Sequence, residues 1–172
     1  MGRAPDDRAA LVRQLQRAYS GELAAALAYR GHWRATREGD DRTRIRAIEE
    51  EEWHHRGLVG ALLVAMGSRP RIALEVRAWL IGGTLGLLCH IAGWFLPMYG
   101  AGRLESRNVG EYDQAARLAA ACGRSDFIDG LRAMADVEWD HEAYFRSRVQ
   151  GHAALRWFPL WPSPVREEVP HA

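Results

Sequence analysis

Glu52-Trp53-His54-His55 and Glu138-Trp139-Asp140-His141 share a Glu-x-x-His spacing, and each follows another carboxylate, Glu22 or Glu105, by about thirty residues. On a helix, residues three apart lie on one face, so the Glu and His of each pair can point at a common ion. A Glu from each of two helices and a Glu-x-x-His from each of two others is the ligand set of a two-iron site inside a four-helix bundle. The candidate metal ligands are therefore Glu22, Glu52, His55, Glu105, Glu138 and His141.

The flanking sequence places all six on helices. Pro5-Asp6-Asp7 opens a helical pattern that runs to about Glu38, with an inward stripe of Leu11, Leu15, Ala18, Glu22, Ala25, Tyr29 and Trp33. Gly39-Asp40-Asp41 supplies a turn, and a second helix is expected from about Asp41 to Met66, ending at Gly67 with Pro70 beyond. Its stripe of Ile45, Ile48, Glu52, His55, Val59 and Leu62 also chooses the register. The competing pair, Glu51 with His54, would share a face with Arg44 and Ala47, a poorer inward surface. A third helix carries Met98, Ala101, Glu105, Asn108, Tyr112 and Ala116 inward and ends near Gly123. Ser125-Asp126 starts a fourth, with Leu131, Met134, Glu138, His141 and Phe145 on its stripe. The interval from Glu22 to Glu52 is 30 residues and that from Glu105 to Glu138 is 33, so the chain reads as two helical hairpins related by a pseudo-twofold.

Between the hairpins, the 25 residues from Ala78 to Gly102 contain no Asp, Glu, Lys or Arg. The run could span a bilayer by length, but a single span would part Glu22, Glu52 and His55 from Glu105, Glu138 and His141, which one metal site forbids. Gly82, Gly83, Gly86, Gly93 and Pro97 interrupt it, and a bent connector over about residues 71–100 is expected. A connector packed on the bundle and one dipping partway into lipid weigh about equally. Residues 1–150 then form the bundle and 151–172 a Trp- and Pro-rich tail, with Trp157-Phe158-Pro159-Leu160-Trp161 either interfacial or a strap on the bundle.

Composition narrows the class. A chain of 172 residues with 48% hydrophobic and 26% charged residues is ordinary for one globular domain. All 23 basic residues are Arg, scattered, and the formal net charge is +1, so no nucleic-acid surface is expected. Cys89 and Cys122 have no partner at redox or metal-binding spacing and read as small hydrophobes. The N-terminal residues lack the apolar stretch of a signal peptide, and a cytoplasmic location is expected.

A lone Glu-x-x-His on an exposed helix is usually a solvated face, with roughly one chance in ten of binding metal. Two such pairs, each in an apolar stripe and each with an upstream Glu, are much harder to read as surface, because burying unpartnered charges costs several kcal/mol apiece. Glu49-Glu50-Glu51 reads as solvated surface and His54 as a surface or supporting residue; His32, His90, His152 and His171 receive no role. Four carboxylates would neutralise two ferrous ions, with Glu22 and Glu105 terminal, Glu52 and Glu138 bridging, and one imidazole on each iron.

Ser20-Gly21-Glu22-Leu23-Ala24-Ala25 and Tyr29-Arg30-Gly31-His32 resemble the Gly-Glu-x-x-Ala and Tyr-x-Gly signature of the first helix in demethoxyubiquinone hydroxylases, which are ferritin-like di-iron enzymes of ubiquinone biosynthesis. The resemblance extends through Arg69-Pro70, the Gly-rich apolar connector, Glu105 with Tyr112, and Glu138 with His141, covering most of residues 18–145. It implies an all-α, ferritin-like four-helix bundle with two iron ions cycling between Fe2+ and Fe3+. It implies a monooxygenase that uses dioxygen and an unidentified electron donor to hydroxylate a hydrophobic quinol such as demethoxyubiquinol. Tyr112 would stand close to the iron or substrate as a catalytic residue, and the connector would bring the protein to the inner face of the cell membrane as a peripheral protein. The sequence departs from the family at Glu111, where a His is usual, and in its C-terminal tail. Two other classes share the residues. A ferritin-like protein handling iron or peroxide would have no need of the uncharged insert, and a non-enzymatic bundle that binds a membrane or partner would hold no metal. An oligomer is compatible with every one of these readings.

Overall fold

The computed structural model describes residues 4–165, with side chains from Asp6 onward; the expected leader reading, the end of the tail and His171 lie outside the described residues. The described chain is all-helical: α1 is Ala4–Ala35, α2 Asp40–Ala65, α3 Ile72–Leu88, α4 Phe95–Ala121 and α5 Ile128–Val149, with short 3-10 turns at Ser125–Phe127 and Ala153–Arg156. Helix ends fall within about three residues of the expected ones. The chain separates into two compact units, Val12–Trp94 and Phe95 onward, the latter joined by the first residues of α1.

In the first unit α1 and α2 form an antiparallel hairpin turned at Gly39, whose φ of 139° only glycine adopts freely. Arg30 and Trp33 meet Glu49 near the turn, while Gln16 reaches the Arg69 carbonyl at the far end. The buried face of α2 carries Ile45, Ile48, Glu52, His55, Val59 and Leu63; Leu63 takes the place expected of Leu62, which is only half-buried.

The expected bent connector is instead a regular helix, α3, followed by a turn at Gly93 (φ 73°). Its glycines do not break it because they form a packing stripe. Ala78, Gly82 and Gly86, four apart, are the buried residues of α3. A Cβ on Gly82 would overlap the Ala24 backbone, and one on Gly31 would overlap the Gly86 backbone. Small residues here let two helix backbones touch, the same device that binds helices closely in membranes. A polar staple fixes the start of α3: Glu75 accepts from Ser20 Oγ at 2.5 Å and pairs with Arg56, which also donates to the Tyr19 carbonyl at 2.6 Å. Pro97 does not interrupt a helix either; it lies in the first turn of α4, where its missing N–H has no intrahelical role.

In the second unit α4 and α5 are antiparallel, joined through Gly123 (φ 77°) and the Ser125–Phe127 turn. The buried α5 face carries all five expected stripe residues, Leu131, Met134, Glu138, His141 and Phe145. The tail is a strap on this unit. Trp161 is buried over Gly102, where a Cβ would collide with the indole, and its ring meets Tyr99 edge-on at 5.3 Å. Tyr99 donates to the Pro159 carbonyl at 2.7 Å, Ser106 to that of Pro162 and Arg146 to that of Trp161.

Candidate metal centre

Each unit carries one Glu and one Glu-x-x-His on neighbouring helices. In the first unit, α1 supplies Glu22 and α2 supplies Glu52 and His55; all three are buried, and one ligand atom of each lies within 4.8 Å of the others. In the second, α4 supplies Glu105 and α5 supplies Glu138 and His141, all at 0% exposure and grouped within the same 4.8 Å. These buried acid and imidazole groups could hold a metal ion: carboxylate oxygen and imidazole nitrogen are donors that iron accepts, and the converging atoms leave room for one ion among them. In α2 the register preferred from the sequence is the buried one, since Glu51 is 38% exposed in its salt bridge to Arg44 and His54 is exposed.

The residues around the trios are specific. Asn108 Nδ2 donates to Glu105 Oε2 at 2.8 Å and to Glu138 Oε2 at 3.4 Å. Tyr112 is buried two turns beyond Glu105 on α4, about 10 Å along the axis. Glu111 is exposed, so the position where the resembled family usually has a His points to solvent here.

Two more acids contradict their expected surface placement or went unnoticed. Glu49 is buried rather than solvated: Oε1 accepts from Arg30 Nε at 2.7 Å and from Trp53 Nε1 at 3.2 Å, and Oε2 from Trp33 Nε1 at 2.7 Å. Burial pushes its pKa up, but the bonds from Trp33, Arg30 and Trp53 together outweigh that and hold it below the ordinary carboxylate value. Its two neighbours fit the surface reading better, since Glu50 is 70% exposed beside Arg46. Glu142, buried one turn after Glu138, accepts from Trp161 Nε1 at 2.6 Å and from Arg146 Nε at 2.7 Å. The signals were present in the sequence: Glu49 lies three before Glu52, and Glu142 lies four after Glu138 with Arg146 four further on.

His32 is buried against Tyr29, with ring centroids 6.4 Å apart. Burial drives its pKa down from 6.5 to about 4, outweighing the opposing pull of Asp41, so it is neutral at physiological pH. Cys89 and Cys122 are both free and half-buried.

No helix of the described residues is long and apolar enough to cross a membrane. The outer side of α3 is nonetheless apolar and exposed: Val76, Trp79, Leu80 and Leu85 are each about half accessible, and Ile72 and Leu87 more so. No family model, curated protein or solved structure matches this chain.

Proposed function

We propose that each buried trio holds one iron ion, that the chain is a ferritin-like di-iron protein, and that it is an O2-dependent hydroxylase of a hydrophobic quinol. The observation that carries the reading is the doubled buried trio, one Glu and one Glu-x-x-His in each unit. A pattern that recurs with the same residue types, the same helix pairing and the same burial is what two ions of one kind require. Four carboxylates balance the charge of two ferrous ions, which removes the main cost of burying them.

Glu22, Glu52 and His55 would hold one iron and Glu105, Glu138 and His141 the other. Bound iron supplies the reduction and activation of dioxygen. The overall change inserts one oxygen atom into an aromatic C–H bond and releases the other as water, consuming two electrons from an external donor and two protons. The chain's own part is to exclude water from the buried carboxylates and to hold the ring near Tyr112, whose phenol can donate a hydrogen bond to a quinol oxygen. The exposed apolar side of α3, with Trp79 on it, suits a shallow contact with lipid, from which such a substrate would come. That face favours the hydroxylase over an iron- or peroxide-handling protein, whose substrates are polar.

The test is metal content and optical absorption of protein loaded with iron, before and after reduction and exposure to dioxygen, followed by mass spectrometry of short-chain quinols incubated under 18O2. Two irons per chain, ferric absorption that forms on oxygenation, and a quinol heavier by one labelled oxygen are expected. Iron uptake without labelled product would leave the ferritin-like oxidase or peroxidase. No iron uptake would overturn both and shift the weight to a binding role.

A further inference from the structure

Asn108 touches both carboxylates of the α4–α5 trio, and it was expected only to lie on the inward stripe. Its amide nitrogen carries two hydrogens, and the two bonds go to the Oε2 atoms of Glu105 and Glu138. Both acids are wholly buried, and Glu138 Oε2 also lies 3.7 Å from His141 Nδ1. Carboxylates so placed could rotate about their last torsion, which is broad and poorly defined for Glu.

We infer that Asn108 is a positioning residue: by donating to Oε2 of both Glu105 and Glu138, it fixes how the two carboxylates are turned toward a metal. The inference rests on the di-iron reading but concerns a residue outside the ligand set. Residues that orient ligands in this way commonly set metal affinity by 10–100-fold.

Anaerobic titration with Co2+, read through its visible d–d bands, tests this without turnover. Two variants are compared with the unaltered protein. Asn108→Leu fills the space without donors, and Asn108→Ala leaves it empty; helical circular dichroism checks that each folds. Two Co2+ per chain are expected for the unaltered protein. Each variant is expected to bind at least one Co2+ about 10-fold more weakly, with shifted band positions. Unchanged affinity and bands in both variants would overturn the positioning role while leaving the metal centre intact. A change in Asn108→Ala alone would overturn it too, because packing would then be the cause. If the unaltered protein takes up no Co2+, the di-iron reading falls and the inference with it.

Discussion

The hairpin of α1 and α2 and the hairpin of α4 and α5 present the same buried trio but are finished in opposite ways. The first is completed by a helix, α3, that shows its small residues inward and its large apolar ones outward. The second is completed by an irregular strap that puts Trp161 inward and leaves Trp157 outward. Even the extra buried acids differ in partners: Glu49 is held by Trp33, Trp53 and Arg30 from its own hairpin, whereas Glu142 is held by Arg146 from its own helix and by Trp161 from the tail. What recurs is what coordination chemistry needs. What differs is how each hairpin covers its remaining surface, a problem with many solutions.

The largest effect breaks or keeps the equivalence of the trios. Glu52→Ala and Glu138→Ala are both expected to abolish iron binding and activity, whereas Glu51→Ala should leave both largely intact, as measured by elemental analysis. Retention of both irons in one of the first two would show that the halves are not equivalent; loss with Glu51→Ala would mean the ligand register is wrong.

Next comes the α1–α3 contact. Gly82→Ala, usually stabilising by about 1 kcal/mol in a helix, is expected to destabilise by about 1–3 kcal/mol because its methyl meets the Ala24 backbone. Gly83→Ala, with nothing within 4 Å of the new methyl, should instead stabilise by about 0.5–1 kcal/mol. Urea unfolding of the pair decides it; the same sign for both would mean that the small-residue stripe does not govern the contact.

His32 gives the first hairpin a pH dependence. Its folded pKa of about 4 lies below the unfolded 6.5, so its stability contribution is complete above 6.5 and is lost as pH falls toward 4. From pH 7 to pH 5 this residue alone should remove about 2 kcal/mol, and His32→Phe should flatten that part of the profile. A profile unchanged by the substitution would refute the buried neutral imidazole.

The strap comes last. Trp161→Phe keeps an aromatic filler over Gly102 but removes the indole donor to Glu142, for an expected loss of about 1–2 kcal/mol in unfolding free energy. No loss would show that the strap covers the second hairpin without stitching to its buried acid.

Helix periodicity was legible wherever an apolar stripe ran long enough to set a phase, which is why Glu52 with His55 could be chosen over Glu51 with His54 and why all five α5 stripe residues are buried. The connector was misread because glycine was taken as a helix breaker; its role as a packing surface depends on α1, distant in sequence. Glu49 was misread from its acidic neighbours, since the donors that make its burial tolerable come partly from α1. The tail's two readings could not be separated because the Gly102 gap that Trp161 fills exists only once α4 and α5 are packed.

The backbone contact of α3 also has an evolutionary consequence. Because Ala78, Gly82 and Gly86 make its buried face and Glu75 anchors its start, selection for folding acts on those positions and leaves the outward apolar ones nearly free. Residues such as Ile72, Val76 and Leu87 can drift without cost to the fold, so their apolar character would be kept only by selection for something other than stability.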